Sequence, residues 1–445
     1  MSVQAGRTRW GGSADDGPTE GYFRVAARDG VFWLVDPDGG RFLSKGINTV
    51  RFDQDRIRDS DRIPYAEACR RKYGSEDAWR AAAAARLSRW GFNTLGAWSD
   101  TAVAAQAPSP LALTPNLDLG MSHAWRTEGE TRPAFPDVFD PDFARHVQDR
   151  ARDLCAPHRA ERGIIGWFID NELRWGPDWR GPDDLLTLFV NLPAASPGRA
   201  AAIALLRQRH PDFAAFNAAW RTPARDWDSF AALARVTPPF QRKPPYEETD
   251  AGTDADPQRA AFIADSDAFQ ALVAECYFAL AAAAIRAADP NHLVLGSRFA
   301  YVPPRAVIEA AGRHCDVISF NCYGFDADAA IDAYAVTGKP CLIGEFSFRG
   351  ADSGLPNTNG AGPLVANQAE RAACFRRYVT AALRKPTVIG YHWFEHADQP
   401  AEGRFDGENS NFGTVTIADD VYETLTQAMT TVNAEAEALH TGAVA

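Results

Sequence analysis

Two short apolar runs each end in a glutamate, and two carboxylates brought together are the minimum equipment for cleaving a glycosidic bond. The first run is Gly166-Trp167-Phe168-Ile169-Asp170-Asn171-Glu172 and the second is Leu342-Ile343-Gly344-Glu345-Phe346. Each reads as a buried strand that delivers its glutamate at or just past the C-terminal end. In a barrel of parallel strands that end is the catalytic face. A retaining glycosidase needs one carboxyl with a raised pKa to protonate the leaving oxygen, and one ionised carboxylate about 5–5.5 Å away to attack the sugar. Glu172, flanked by Trp167 and Trp175, suits the acid/base, and Glu345 suits the nucleophile. A lone glutamate after an apolar run is ordinarily a solvated loop residue. Three neighbours argue otherwise. Asn171 offers an amide to a sugar hydroxyl, Gly344 and Phe346 leave Glu345 little solvent, and Asn321-Cys322-Tyr323 puts a phenol at the end of the preceding strand. That phenol would donate to Glu345 and favour its charged form.

The elements needed to bring these residues together are legible as short apolar runs separated by helical patterns. A hairpin spans residues 23–35, with turns at Asp29-Gly30 and at Asp36-Pro37-Asp38-Gly39. The second turn resembles the start of a calcium loop but lacks the later acidic residues such a loop needs. Strands are predicted at 42–48, 93–98, 112–114, 164–169, 293–296, 317–321, 341–344 and 388–393, and helices at 76–90, 141–156, 266–288, 304–313, 366–384 and 417–438. Eight strands alternating with helices predict an α/β fold, a (β/α)8 TIM barrel with an N-terminal β-hairpin. Its fourth and seventh strands, which carry the glutamates, face each other across the mouth. The barrel domain is placed at 21–440, behind a disordered lead at 1–20. Residues 173–292 are far more than one connecting helix needs. The segment 176–265 is therefore a large insertion after strand four. It has helical patterns at 184–192 and 198–208 and a Pro-, Asp- and Glu-rich loop at 237–258, and it is expected to act as a substrate-shaping lid.

Other side chains at strand ends are candidates for holding the sugar. Trp393 and Trp98 could stack on a sugar face, as could Trp125, expected in a loop with His123. Asn48, Arg51 and Arg298 could hold hydroxyls or an anionic substituent, although barrel rims also carry structural Arg–carboxylate pairs. His392 either points into the site or is a satisfied core histidine. His396, Asp398, Glu408 and Asn409 belong to the loop after strand eight and are expected at the substrate entrance.

A net charge of −12 opposes nucleic-acid binding, which needs a basic face. No stretch reads as both apolar and long enough to span a membrane, the alanine-rich helix near 278–288 being bounded by Glu275 and Arg286. The polar first 21 residues lack the apolar core of a secretory signal. Seven scattered cysteines without a CxxC pair read as buried free thiols. A cytoplasmic location fits both. No His/Cys/Asp/Glu cluster has metal-ligand spacing, and neither a phosphate loop after a strand nor a Gly-x-Ser-x-Gly elbow occurs, so no metal and no cofactor are expected. The expected partner is an oligosaccharide, with self-association as a homo-oligomer left open.

The chain also resembles a known group. Asn171-Glu172, Asn321-x-Tyr323 and Gly344-Glu345-Phe346 look like the clan A retaining glycoside hydrolases. The closer likeness is to glycoside hydrolase family 50, the β-agarases, with the family 42 β-galactosidases behind. It rests on Leu34-Val35-Asp36-Pro37-Asp38-Gly39 running into Phe42 and Gly46-Ile47-Asn48, and on Asp289-Pro290-Asn291-His292-Leu293 with Gly296-Ser297-Arg298. Gly390-Tyr391-His392-Trp393-Phe394, Gly403-Arg404 and Glu408-Asn409-Ser410-Asn411-Phe412-Gly413 complete it. The resemblance implies an exo-acting retaining enzyme on β-galactoside-type, agarose-like oligosaccharides, with Glu172 as acid/base and Glu345 as nucleophile. Many such agarases are secreted with an added N-terminal carbohydrate-binding domain. The expectation here is a chain with neither, acting on short oligosaccharides. The alternatives are a β-galactosidase, β-glucosidase or transglycosylase of the same clan, or a non-catalytic carbohydrate-binding barrel.

Overall fold

The computed structural model describes residues 6–14, 21–128, 135–247 and 256–442. A six-stranded parallel sheet holds Ser44–Ile47 between Thr94–Leu95, followed by Ala112–Leu113, on one side and Val388–Trp393 on the other. Beyond Val388–Trp393 come Cys341–Phe346 and then Ile318–Asn321. Gly166–Trp167 pairs in parallel with Leu293–Val294. Parallel bridges Leu113↔Ile164 and Asn116↔Phe168 join that pair to the third strand, and Phe299↔Phe320 joins it to the sixth. All eight predicted strand segments are therefore paired in sequence order, and the eighth lies beside the first. The ladders of the second to fifth strands are shorter than the apolar runs that announced them.

The hairpin forms as Arg24–Arg28 and Val31–Val35, antiparallel. Asp29 and Gly30 both take positive φ, 51° and 80°, as a tight two-residue turn requires. Phe23, Leu34 and Phe42 bury themselves among Ile165, Val317, Leu342 and Ile389, residues near the starts of the parallel strands. The hairpin thus covers the end of the sheet opposite the glutamates. The expected disordered lead is corrected for residues 6–14. Trp10 is buried against the Phe23 ring, with centroids 5.6 Å apart, and Ser13 exchanges backbone hydrogen bonds with Arg41. One indole supplies the apolar area that this polar segment otherwise lacks. Residues 1–5 and 15–20 of that lead lie outside the described residues.

Helices Glu76–Arg89, Pro141–Cys155, Arg305–His314, Gln368–Leu383 and Glu423–His440 occupy the predicted intervals. Several begin on side-chain caps, Ser75, Asp140 and Asn367 among them. Pro64–Tyr73, Leu119–Glu128 and Asp328–Tyr334 are helices that the sequence pattern did not announce. Trp125 consequently stands on a helix and not in a loop. The seven cysteines are free, and five of them are buried.

The insertion folds as Leu185–Val190, Pro197–Arg209 and Phe213–Trp220, packed on the long helix Pro257–Ala288, with Trp227–Ala231 set against Phe216. Residues 248–255 of its acidic loop lie outside the described residues. The expectation that nothing reaches membrane-spanning length fails at Pro257–Ala288, which passes by length and composition. Asp265, Ser266, Gln270 and Tyr277 of this helix are buried in protein. The buried Asp265 carboxylate receives Arg209 Nε at 2.7 Å and Trp220 Nε1 at 2.9 Å, with His210 Nε2 at 2.7 Å. Tyr277 donates its hydroxyl to Asp170, whose carboxylate also accepts from Gly120 and Met121 backbone amides at 2.6 and 2.9 Å. Asp170 thereby ties the end of the fourth strand to two helices, one residue pair before Glu172.

The glycine that opens the first motif has a steric cause. A Cβ on Gly166 would sit 2.3 Å from the Leu293 carbonyl oxygen, inside the neighbouring strand's backbone. Gly166→Ala is expected to cost about 1–3 kcal/mol, read as a lower urea midpoint with an unchanged m-value.

Candidate active site

Four residues just past the parallel strands hold left-handed backbone although none is glycine: Thr49 at φ 56°, Trp98 at 60°, Glu172 at 56° and Arg298 at 49°. Such conformations cost on the order of 1–3 kcal/mol each and persist only where the surroundings enforce them. Here the enforcing contacts are visible. Glu172 N–H donates to the Arg298 carbonyl at 3.2 Å, and Arg180 Nη1 donates to the Glu172 carbonyl at 2.5 Å.

The side chains at these strand ends form one connected network. Glu345, 4% exposed, accepts Arg298 Nη2 on Oε1 at 2.5 Å and the Tyr323 hydroxyl on Oε2 at 2.6 Å. Both of its oxygens are therefore engaged as acceptors, which is the hydrogen-bonding inventory of an ionised carboxylate. Glu172 Oε1 accepts Asn321 Nδ2 at 2.9 Å. The same amide lies 3.1 Å from Asn171 Oδ1, which in turn accepts Arg298 Nε at 2.8 Å. Arg298 is fully buried, with its guanidinium 4.9 Å from the Trp98 ring centre and 4.7 Å from that of Phe168. Gly344 leaves space for this arrangement. A Cβ there would lie 2.8 Å from Asn321 Oδ1 and 3.2 Å from Arg298 Nη1.

The two carboxyls differ in chemistry as well as in partners. Burial, followed by the charge of Glu345, raises Glu172 to about 7, and the Asn321 hydrogen bond only partly opposes this. The Tyr323 phenol is held well above its ordinary value by burial and by the charges of Glu345 and Glu172, so it stays a donor. Around the site, Glu408 accepts Arg404 Nη2 at 2.7 Å and Gln399 Nε2 at 2.9 Å. Its carboxyl is raised, first by burial, with the charge of Glu345 among the smaller causes. The same guanidinium has Asp55 at 3.7 Å and Glu395 at 3.9 Å. Sequence reasoning named Glu408 but missed Asp55, Arg180 and Glu395, none of which sits in a run with a readable period.

The structure brings Glu172, Glu345, Asn171, Asn321, Tyr323, Arg298 and Trp98 together. Glu408 lies near enough to feel the charge of Glu345, and the others take different places. Trp393 is corrected: it is fully buried, its Nε1 donates to the Phe412 carbonyl at 2.9 Å, and its ring packs on Phe346 and Phe375. Side chains alternate along the eighth strand, so Trp393 turns toward the helix layer while His392 turns inward. His392 is a core residue, 2.8 Å from Ser44 Oγ and lowered to about 3 by burial and then by Arg298. Asn48 is fully buried and acts as support, donating to the Gly344 and Trp393 carbonyls at 2.9 and 3.3 Å and accepting the Ala97 amide at 2.9 Å. Arg51 is half-exposed and paired to Asp53 through Nε and Nη2 at 2.7 and 2.8 Å, lining a cleft with Phe52 and Trp98. Asn409 accepts the Thr358 and Asn359 amides at 3.0 Å and braces a loop. His396 and Asp398 are buried. Among the described residues no group of three or more His, Cys, Asp or Glu is placed to hold a metal ion.

Because Glu172 titrates at about 7 in the folded protein against an ordinary 4.5, the folded state binds more protons than the unfolded state between those values. Its contribution to stability therefore declines as pH rises through that window. Glu172→Gln should melt higher than the parent at about pH 8, by on the order of 2 °C, and should lose that advantage at about pH 4. Scanning calorimetry at the two pH values measures the difference.

No protein-family model matches the chain. Beta-agarase A of Vibrio sp. (strain JT0107) is 31% identical over 501 residues, covering 95% of this chain and 47% of its own length. Beta-agarase B of the same organism is 27% identical over 502 residues, covering 96% of this chain and 50% of its own. The chain thus spans about half the length of the curated relatives it matches. Among solved structures, an exo-beta-agarase superimposes with a TM-score of 0.80 at 24% identity, over 98% of this chain and 68% of that one. The agarase AgWH50C does so with a TM-score of 0.78 at 25% identity, over 98% and 68%. These matches relate the chain to glycoside hydrolases of the β-agarase kind.

Proposed function

We propose that this relative of the β-agarases is a retaining β-glycoside hydrolase on a (β/α)8 barrel, acting from the chain end of agarose-type β-galactoside oligosaccharides. The observation that carries the reading is the unlike treatment of two neighbouring carboxyls. Glu172 is raised to about 7 by burial and by the charge of Glu345, while Glu345 receives two donors. That is the division of labour double displacement needs. The succession of eight paired parallel segments supports the barrel. The relatives' names support the substrate class, and the exo-beta-agarase supports the exo mode.

In the first step Glu345 attacks the anomeric carbon while the Glu172 carboxylic acid gives its proton to the departing oxygen. The glycosidic bond breaks and an ester to Glu345 forms. In the second step Glu172, now a carboxylate, takes a proton from a water that attacks the same carbon and releases Glu345. Two inversions leave the β configuration unchanged. Arg298 and Tyr323 hold Glu345 in place and accommodate its charge before attack and after release. Asn321 and Asn171 fix Glu172 relative to that pair, and Asn171 Nδ2, which bonds no other group among the described residues, meets a sugar hydroxyl.

Glu345→Gln should lower turnover by several orders of magnitude while leaving the circular dichroism spectrum unchanged; near-normal cleavage would remove the nucleophile assignment. On an agarose-derived tetrasaccharide, whose leaving group needs a proton, kcat/KM should fall as pH rises past about 7. A flat profile to about pH 9 would contradict Glu172 as the acid.

A further inference from the structure

Three aromatic rings stand together beside the loop that follows Glu172, unused by the chemistry above. Trp179 is 58% exposed and Tyr246 52% exposed, a large apolar area left to solvent. Both lean on Tyr301, with ring centres 6.2 and 5.7 Å away and planes at 82° and 64°. Tyr301 is fixed from below, its hydroxyl accepting the Trp175 amide at 3.2 Å. Single exposed hydrophobic residues need no explanation, but a rimmed cluster of them marks a binding surface.

The cluster is coupled to the acid/base through one side chain. The Arg180 guanidinium lies 4.6 Å from the Trp179 ring centre, and its Nη1 donates to the Glu172 carbonyl at 2.5 Å. Asp178 holds it in place, accepting Nε at 3.0 Å and Nη2 at 2.6 Å. The indole is thus held by the same guanidinium that fixes the Glu172 backbone.

We infer that Trp179, Tyr246 and Tyr301 form a leaving-group-side subsite that stacks on the apolar faces of galactose-type rings beyond the scissile bond. The inference rests on the hydrolase reading. Glu172 protonates the oxygen that departs, so the surface that continues outward from its own loop meets the departing portion of the substrate. Glu345, held by Arg298 and Tyr323, meets the portion that is retained. A neutral oligosaccharide is the occupant the surface fits, because its rings alternate C–H faces with hydroxyls and Arg180 is already neutralised by Asp178. Trp179 would set the preference for oligosaccharides over short glycosides.

The test compares an agarose-derived hexasaccharide with an aryl β-galactoside on Trp179→Ala, Trp179→Phe and Tyr246→Ala. Trp179→Ala should lower kcat/KM on the hexasaccharide about tenfold more than on the aryl glycoside, chiefly through KM, and Trp179→Phe should recover most of the loss. Equal losses on both substrates, or no loss on the hexasaccharide, would overturn the subsite. So would a Trp179→Ala protein that changes from dimer to monomer in sedimentation while keeping its hexasaccharide kcat/KM, since the rings would then be an interface between copies. Calorimetric binding of the hexasaccharide to Glu345→Gln, with and without Trp179→Ala, needs no turnover. Weaker binding by the double variant alongside an inactive wild type would remove the hydrolase reading and keep the sugar surface; equal binding would remove the surface.

Discussion

A guanidinium shut away from water beneath two carboxyls is the constraint on which the site depends. Removing a cation from water costs several kcal/mol, and the cost is recovered only with a partner in good geometry. Arg298 has Glu345 at 2.5 Å, Asn171 at 2.8 Å, and aromatic faces at 4.9 and 4.7 Å. One buried positive charge can stabilise one buried negative charge. Glu345 takes that place, and a second carboxylate beside it meets burial and repulsion that Arg180 and Arg298 offset only in part. Glu172 accordingly holds its proton to about 7. In the proposed mechanism the acid and the nucleophile are distinguished by that charge count, and Asn321 links them through Asn171 and Arg298.

The rest of the molecule serves to hold that count in place. Parallel strands buried on both faces fix where each strand ends, and the chain leaves four of them through left-handed residues that would relax elsewhere. Asp170 anchors the fourth strand end to two helices, Asn48 stitches the first strand to the seventh and eighth, and Arg180 grips the Glu172 carbonyl. The hairpin fills the opposite end with apolar side chains. Local strain at the mouth is thus carried by packing elsewhere.

Much of this is legible in the sequence, for reasons that particular residues make clear. The glutamates and the Tyr323 hydrogen bond follow from strand ends, because a residue's place at a strand terminus survives uncertainty in the strand's length. Arg298 is the instructive case. Its sequence position left it balanced between sugar contact and a structural ion pair, and it is an ion pair whose partner is the proposed nucleophile itself. Trp393 shows where pattern fails: a strand buried on both faces gives no alternation of polarity, so inner and outer residues look alike. Trp10 and the ring cluster at Trp179, Tyr246 and Tyr301 lie in segments without period, and their contacts exist only once distant loops meet. Residues 257–265 extend a helix whose apolar stretch alone marks its later part.

The central claim is that Glu345 forms the covalent bond while Glu172 handles the proton. A 2-deoxy-2-fluoro-β-galactoside with a good leaving group slows release of the glycosyl-enzyme more than its formation, so the ester accumulates. Peptide mass spectrometry of the trapped protein should place the sugar on Glu345. A sugar found on Glu172 or any other residue, or no adduct from a protein that turns the compound over, would contradict the account.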